Sequence, residues 1–199
     1  MSNDRREQIL KAAAHLFARQ GYHVTTVSDI AKEAQVAQGT VYLYFESKKA
    51  VFEALVDETL DLFKSVLSWG SAHISAPDVA ERLPGIFRRV LGLLAENRIL
   101  VRLMLTEVRG ADPQIEAKLL AFYKDVVARI AEQLRRGAER GVLRANLNPE
   151  LAAHSLIAVM ERMAALIISE EEPDLDSMAD EIARLQLCGI LAQPALARF

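Results

Sequence analysis

The sequence predicts an all-α fold, and three observations support this. Apolar residues recur at helical spacing along almost the whole chain of 199 residues. Alternating β-branched runs and Asn-Gly hairpin turns, which are typical of strands, are missing. Residues typical of helix ends, among them Gly21 and the Asn148-Pro149 pair, stand where one apolar repeat stops or the next begins. With 51% hydrophobic and 26% charged residues, the chain can bury a helical core in one domain or two small ones.

The first helix is predicted over Asp4 to Gln20. This segment places Ile9, Ala13 and Phe17 on one face, as a period of 3.6 residues requires. Gly21 follows it, and glycine is the residue that most often terminates a helix because it adopts a positive φ without steric cost.

A second, shorter helix is predicted to follow Thr26 and to run to about Ala34. Thr26 and Asp29 form a variant of the capping box, in which the threonine hydroxyl accepts a hydrogen bond from a free amide of the first turn. Ile30 and Ala31 then face inward.

The third helix is predicted from Gln38 to about Phe45, after the brief connection 35–37. Val41 and Phe45 lie one turn apart and would pack against the second helix. Two short helices joined by so brief a turn cross steeply, which is the arrangement of a DNA-binding helix-turn-helix.

Six further helices are predicted. Ser47 caps the fourth, which extends at least through Val66, and the Gly-, Ser-, His- and Pro-containing segment Ser68–Pro77 is expected to be a loop. The remaining helices are predicted over Asp78–Glu96, Arg98–Arg109, Pro113–Arg140 after the N-cap Asp112, Pro149–Ser169 after Asn148, and Asp174 to about Leu191. Cys188 stands among apolar residues, and we expect it to be a small buried side chain without a chemical role.

The charge of the chain is unevenly distributed along the sequence. The net charge is −3, but up to Ala50 there are seven Lys and Arg against five Asp and Glu, while the remainder carries 17 against 22. The N-terminal segment is therefore the candidate surface for a polyanion.

The residue pattern of this segment is specific. It comprises Gly21-Tyr22, Thr26, Ile30-Ala31, Ala34, Val36, Gly39-Thr40-Val41-Tyr42, Tyr44-Phe45 and Lys48. The pattern extends from Arg5 to about Leu55 and resembles the DNA-binding motif of the TetR family of bacterial regulators. The resemblance implies a helix-turn-helix DNA-binding domain over residues 1–48 and a helical ligand-binding and dimerisation domain over 49–199.

Two residues depart from the family pattern. Gln35 stands where the family usually has glycine, and if this position needs a positive φ the cost is about 1 kcal/mol or slightly more. Ala37 stands where a capping serine is common, and its methyl group forfeits about 1 kcal/mol at the start of the third helix.

The front of the third helix carries side chains suited to base edges in the major groove. With Val41 and Phe45 inward, the exposed residues are Gln38, Gly39, Thr40 and Leu43. Glutamine pairs bidentately with adenine, threonine and leucine pack on the thymine methyl group, and glycine lets the backbone approach the duplex. Ser28, at the start of the second helix, is expected to reach a base or a phosphate.

Phosphate contacts are implied by the resemblance at Thr26, Tyr42, Tyr44 and Lys48. These residues offer hydroxyl groups and a positive charge, which position a protein on DNA rather than read its sequence. Without the surrounding motif, core aromatics would be the preferred interpretation of the tyrosines and a solvated charge that of the lysine; the motif reverses this preference.

The last two helices are rich in apolar residues, including Leu156, Met160, Ile167 and Leu185. In similar proteins this pair packs against its symmetry mate as a four-helix bundle. A monomer core would use the same residues, but a homodimer is favoured because one short recognition helix contacts too few bases to be specific.

A ligand pocket is implied between these helices and the fourth to seventh. Its candidate lining residues, each of which also fits plain core packing, are Phe63, Phe87, Leu103, Met104, Phe122, Tyr123 and Met160. Arg98, Arg102 and Arg109 fall on nearly one face of the predicted sixth helix and are candidates to hold the phosphates of a large anionic ligand. A solvated helix face is the alternative.

The sequence thus predicts a cytoplasmic, homodimeric transcriptional regulator, a repressor that binds palindromic operator DNA and is released by a small molecule. The chain is similar in sequence to TetR-type regulators of fatty-acid degradation at Gly21-Tyr22-His23, at Val36–Phe45 and at Leu105-Thr106-Glu107-Val108-Arg109. This similarity implies long-chain acyl-CoA as the effector. The alternatives are a regulator of a multidrug efflux gene and a DNA-bound structural or division factor without a ligand.

Other classes of protein are disfavoured. The four histidines form no metal-ligand spacing, and no Gly-rich phosphate loop or nucleophile motif is present, so neither an enzyme nor a cofactor or metal ion is expected. No uncharged apolar run reaches the roughly 18 residues that span a bilayer, so no membrane is expected as a partner.

Overall fold

The computed structural model describes residues 2–71, 77–108 and 110–191, which form nine α-helices. They are α1 Ser2–Gln20, α2 Val27–Glu33, α3 Gln38–Tyr44, α4 Lys48–Ser71, α5 Val79–Glu96, α6 Arg98–Thr106, α7 Pro113–Glu139, α8 Pro149–Ser169 and α9 Leu175–Ile190. Over these ranges the β structure is limited to an isolated bridge between Leu143 and Leu191. The predicted all-α fold is confirmed.

The amino ends of several helices are set by the capping residues that the sequence indicates. Ser47 Oγ accepts a hydrogen bond from the amide of Ala50 at 3.1 Å. Asn148 Oδ1 and Asp174 Oδ1 accept from the third residue after each of them, both at 3.0 Å. Each cap satisfies an amide that the helix itself leaves unpaired, and these helices begin at the predicted positions.

Two helix ends differ from the predictions by three residues or more. The predicted loop Ser68–Pro77 begins too early, because α4 continues through Ser71; the one poor helix former in that stretch, Gly70, costs a helix interior only about 1 kcal/mol. Residues 72–76 of that loop lie outside the described residues. The predicted sixth helix is too long, because α6 ends at Thr106.

The end of α6 has a local cause. Its last backbone bond joins the amide of Glu107 to the carbonyl of Leu103 at 2.9 Å, after which the chain turns and Gly110 adopts a φ of +82°. The predicted helical face of three arginines therefore ends before Arg109, which comes three residues after Thr106 and lies outside the described residues.

The described chain divides into two compact units. The first comprises residues up to Leu62 and the segment Asn97–Leu120, and the second comprises Phe63–Glu96 and the residues from Ala121 onward. The predicted domain boundary after residue 48 falls inside the first unit, at the start of α4, and stays a prediction about function.

In the first unit, α1, α2 and α3 pack through one apolar face each. Ile9, Phe17 and Ile30 are fully buried, and Val41 and Phe45 retain 1% and 6% of their exposure. These two residues hold α3 against α2, which leaves the opposite face of α3 free.

In the second unit, α5, α8 and α9 pack together around buried residues such as Leu91, Ile167 and Leu187. Arg88 on α5 forms ion pairs with Asp176 and Asp180 on α9. Cys188 on α9 is exposed, so the expectation that it is buried was wrong: its neighbour Leu187 faces the core and the next position on a helix turns away from it.

Candidate nucleic-acid interface and effector site

The turn between α2 and α3 closes as a Schellman motif. The amide of Val36 donates to the carbonyl of Ala31 at 2.9 Å, and the amide of Gln35 donates to the carbonyl of Lys32 at 3.1 Å. Between these bonds Gln35 adopts a φ of +52°, a conformation that normally calls for glycine. The position of Gln35 therefore does require a positive φ, and the turn carries a local steric cost.

The outer face of α3 presents the predicted base-reading residues to solvent. Gln38 and Gly39 are exposed, Thr40 is half-buried and Leu43 retains 82% of its exposure. No atom lies within 4 Å of the position that a Cβ of Gly39 would take, so the backbone is open to a close approach. An apolar side chain as exposed as Leu43 on a short helix indicates a contact surface.

The predicted phosphate-contact residues fall into two groups. Ser28 and Tyr42 are exposed, with Tyr42 at 51%, and Tyr44 is half-buried. Thr26 and Lys48 are instead engaged within the protein.

Thr26 forms the capping box with Asp29. Its Oγ1 accepts the amide of Asp29 at 3.1 Å and donates to Asp29 Oδ2 at 2.7 Å, which also accepts the amide of Thr26 at 2.9 Å. These bonds to the side chain and the backbone of Thr26 lower the pKa of Asp29. The hydroxyl therefore fixes the start of α2 rather than standing free for a ligand.

Lys48, the first residue of α4, is hydrogen-bonded to the α1–α2 loop, residues Gly21–Thr25. Its Nζ donates to the carbonyls of Tyr22, His23 and Thr25 at 2.7, 3.0 and 2.7 Å and lies 4.6 Å from the centre of the Tyr22 ring. Because an ammonium group has three donors, none is left for a phosphate in this arrangement. Partial burial lowers the pKa of Lys48.

The α1–α2 loop is held from a second side by Glu107, the residue after α6. Glu107 Oε2 accepts the amide of Tyr22 at 2.8 Å. The Tyr22 ring packs on Phe17 and Phe52, with ring centres 5.5 and 4.6 Å away. The contact between Glu107 and Tyr22 could not be predicted, since 85 residues separate the two and no local pattern links them.

Ion pairs join α4 to the start of α7 within the same unit. Lys49 Nζ lies 2.9 Å from Asp112 Oδ2 and donates to Gln114 Oε1 at 2.8 Å. Lys118 Nζ pairs with Asp57 at 2.9 Å. The hydrogen bond between Lys49 and Asp112 raises the pKa of the lysine and lowers that of the aspartate, so both stay charged around neutral pH.

The predicted effector residues are divided between the two units. Arg98, Arg102, Leu103 and Met104 belong to the first unit, where Leu103 and Met104 are buried, Arg98 is half-buried and Arg102 is exposed. Phe63, Phe87, Phe122, Tyr123 and Met160 belong to the second unit. The burial of Leu103 and Met104 fits both a ligand pocket and the alternative of plain core packing, so their role stays a prediction.

Several of the second group lie together. The ring of Phe122 lies 6.4 Å from that of Phe63 and 5.9 Å from that of Tyr123. The Tyr123 hydroxyl donates to Glu161 Oε1, which brings a carboxylate from the apolar helix α8 against this aromatic cluster. Phe87 is buried on α5 and Met160 is half-buried on α8.

Helices α8 and α9 carry apolar residues that nothing in the described chain covers. Leu151 on α8 and Leu185 on α9 keep 67% and 65% of their exposure. Helix α8 is long and apolar enough to span a membrane by length and composition alone. Of its most apolar stretch of 18 residues, 22% is buried inside the protein. An exposed apolar face of this kind marks an interaction surface.

Comparison with protein-family models gives two matches that together cover most of the chain. Residues 9–55 match the model described as bacterial regulatory proteins, tetR family. Residues 76–166 match the model described as tetracyclin repressor-like, C-terminal domain. The first match contains the helix-turn-helix, and the second lies in the helices that follow it.

Named relatives match over nearly their full length. The fatty acid metabolism regulator protein of Bacillus subtilis is 26% identical over 92% of this chain and 94% of its own. The structure of the fatty acid degradation regulator FadR from Bacillus halodurans superposes with a TM-score of 0.76 at 27% identity, covering 93% of this chain and 95% of that one. FadR from Bacillus subtilis, solved in complex with stearoyl-CoA, gives a TM-score of 0.74 at 25% identity, covering 92% and 98%.

Proposed function

Because the chain belongs to the tetR family of bacterial regulatory proteins, we propose that it is a transcriptional repressor that binds a palindromic operator as a homodimer and is released by long-chain acyl-CoA. Its named relatives are transcriptional regulators and not enzymes. The observation that carries the proposal is the exposed outer face of α3, which is held in place by the buried Val41 and Phe45.

The reading of DNA rests on the residues of that face. Gln38 pairs with an adenine, while Leu43 and the methyl group of Thr40 pack on thymine methyl groups. Gly39 leaves room for the duplex to approach the backbone. A face that combines one amide with apolar groups reads A·T pairs in the major groove, and we expect the operator half-sites to be rich in them.

The phosphates are held by Ser28, Tyr42 and Tyr44, whose hydroxyl groups flank the reading face. Thr26 and Lys48 contribute to DNA binding indirectly, because their polar atoms fix the start of α2 and the α1–α2 loop. They set the position of the surface that the other residues present.

A second copy of the chain covers the apolar surface of α8 and α9. Two copies of this helix pair form a four-helix bundle, which buries Leu151 and Leu185 and explains why α8 is apolar on sides that the monomer leaves open. The twofold axis of such a dimer sets the spacing of the two α3 helices and therefore requires a palindromic site. A cytoplasmic location follows from the partner, since operator DNA is there.

The effector proposal rests on the relatives and on the aromatic cluster. One of the solved relatives holds stearoyl-CoA, and Phe63, Phe87 and Phe122 offer apolar surface for an acyl chain. Arg98 and Arg102 belong to the first unit and stay predicted contacts for an anionic group.

One observation favours a different effector class. Glu161 places a carboxylate beside the aromatic cluster, and a carboxylate next to aromatic rings attracts a lipophilic cation. A regulator of a drug efflux gene therefore stands as the second candidate, and a DNA-bound factor without any ligand as the third.

The test begins with selection of bound duplexes from a randomised library at physiological salt, using the full chain. Recovery of a palindrome supports the operator proposal, and absence of any sequence preference overturns it. Leu43→Ala should then cost about 1–2 kcal/mol of specific binding free energy. Leu120→Ala removes a leucine that is 57% exposed on α7 and serves as the matched control.

The effector arm uses the selected operator. Release by stearoyl-CoA, with no effect of free coenzyme A, supports the acyl-CoA proposal. Release by a lipophilic cation but not by stearoyl-CoA supports the regulator of a drug efflux gene. An operator complex that neither compound dissociates supports the DNA-bound factor without a ligand. Leu185→Glu should turn the dimer into a monomer in analytical ultracentrifugation, and an unchanged mass would contradict the proposed interface.

A further inference from the structure

The segment 97–120, called the bracing segment here, lies in the same compact unit as the DNA-reading helices. It comprises α6 and the start of α7. Its own apolar residues Val101, Val108 and Ile115 are buried at 2% or less exposure. The bracing segment is therefore a structural part of the unit that would bind DNA, although it lies more than 50 residues beyond α3 in the sequence.

Two carboxylates of the bracing segment bind the chain segments that flank α2 and α3. Glu107 Oε2 accepts the amide of Tyr22 at 2.8 Å and so holds the α1–α2 loop. Asp112 Oδ2 lies 2.9 Å from Lys49 Nζ and so holds the first turn of α4. The neighbouring Lys48 binds three carbonyls of the same α1–α2 loop.

These contacts meet close to the reading helix. Only Phe45, Glu46 and Ser47 separate the end of α3 from the start of α4. The carboxylates thus fix both the loop that precedes α2 and the helix that follows α3, and neither carboxylate belongs to the exposed face of α3.

We propose that Glu107 and Asp112 are positioning residues that raise affinity for DNA by fixing the α1–α2 loop and the amino end of α4. This inference rests on the proposed DNA-binding function. A carboxylate near a DNA surface should by charge alone weaken binding, because it repels phosphates. Positioning predicts the opposite sign, so the direction of the change on removal decides between the two roles.

The magnitude also separates positioning from ordinary stabilisation. The side chains of Lys49 and Asp112 are 37% and 22% exposed, and pairs that are this accessible contribute little to folding. Their removal should therefore leave the unfolding midpoint almost unchanged while it lowers operator affinity.

The variants are chosen to keep the fold. Asp112→Asn removes the charge but retains an oxygen that accepts the amide of Gln114, so the start of α7 stays capped. Glu107→Ala removes the acceptor for Tyr22, and Glu107→Gln restores a neutral acceptor. Glu58→Gln removes a carboxylate of α4 that pairs with Arg6 and touches neither the loop nor the start of α4, and it serves as the control.

Operator affinity is measured by fluorescence anisotropy, together with urea unfolding. We expect Glu107→Ala to lose about tenfold in affinity and Glu107→Gln and Asp112→Asn about threefold, each fold-change corresponding to a bond of ordinary strength. Glu58→Gln should bind as tightly as the wild type or slightly more tightly. Unchanged or tighter binding of Glu107→Ala and Asp112→Asn overturns the proposal, as does a loss of affinity in Asp112→Asn that follows its unfolding midpoint.

A readout without DNA keeps the inference separate from the proposed function. Amide hydrogen exchange of the wild type should show protection of Tyr22, and Glu107→Ala should lose that protection and exchange faster at Val41 and Tyr42 of α3. If the wild type has no operator, the proposed function fails, and this exchange measurement still decides whether Glu107 fixes the loop and α3. Unchanged exchange in α3 overturns the positioning role.

Discussion

The two connections that flank α2 are stabilised in opposite ways. The α1–α2 loop is held by side chains that are distant in the sequence, Lys48 and Glu107. The α2–α3 turn is held mainly by its own backbone bonds, with Gln35 in a left-handed conformation and Ala37 at an N-cap that has no side-chain hydrogen bond. The loop has glycine at its position of positive φ, whereas the turn contains two residues that are locally unfavourable.

This difference determines what substitutions can do. Changes at Gly21 or at the side chains that bind the loop should reduce stability, because they remove a favourable backbone conformation or a hydrogen bond. Changes in the turn can raise stability, because two positions fall short of what their geometry favours. The turn still forms because Val41 and Phe45 bury α3 against α2 at a gain that exceeds the local cost.

The largest effect is expected for Lys48→Met. Three carbonyl oxygens lose a charged donor, and since hydrogen bonds to charged groups contribute about 1.5–3 kcal/mol each before water replaces them, we expect a loss of about 2–3 kcal/mol in the free energy of unfolding. Urea unfolding measures it. Lys11→Met, which removes only an exposed pair with Glu7, should cost less than about 0.5 kcal/mol. Equal losses of unfolding free energy in the two variants would show that Lys48 stabilises the loop no more than an exposed surface ion pair does.

A smaller loss is expected for Gly21→Ala in the same loop. Gly21 has a φ of +92°, a conformation that costs an L side chain about 1–2 kcal/mol. The new Cβ would also lie 3.4 Å from Glu107 Oε2, close to the carboxylate that binds Tyr22. Thermal unfolding should show this loss, and Gly39→Ala, whose Cβ meets no atom within 4 Å, should not. A stable Gly21→Ala would mean that the loop tolerates strain as the turn does.

These local features are what the sequence could predict. Thr26 with Asp29, Ser47, Asn148 and Asp174 each signal a helix start through a partner three residues away. The inward position of Val41 and Phe45 followed from helical spacing. Every one of these signals acts within one or two turns of helix.

The contacts of Lys48 and Glu107 could not be predicted in this way. The three carbonyl partners of Lys48 lie 23–26 residues earlier and carry no side-chain signature, so no local pattern indicates these hydrogen bonds. The end of α6 was placed too late because the apolar repeat continues to Val108, which is buried although the helix has already ended. Tertiary packing, rather than local preference, sets the contacts of Lys48 and Glu107.

The turn supplies the first expected gain, for Gln35→Gly. Glycine adopts the φ of +52° without the steric cost that glutamine carries, so we expect about 1 kcal/mol more stability, reduced somewhat by the greater freedom of glycine in the unfolded chain. Urea unfolding measures the change. Gln35→Asn should recover part of the gain, since asparagine tolerates this region better than glutamine. A loss in both variants would show that the glutamine side chain stabilises the turn through contacts of its own.

The smallest effect is expected for Ala37→Ser at the start of α3. A serine hydroxyl there accepts an amide of the first turn, which alanine cannot do, and such a cap adds about 0.5–1 kcal/mol. Part of that gain is already taken, because the amide of Thr40 donates to the carbonyl of Ala37 at 2.8 Å. The isosteric pair Ala37→Thr and Ala37→Val isolates the hydroxyl: threonine should exceed valine in unfolding free energy by about the same amount. If they are equal, the backbone bond of Thr40 already satisfies this helix end, and the unfavourable character of the turn comes from Gln35 alone.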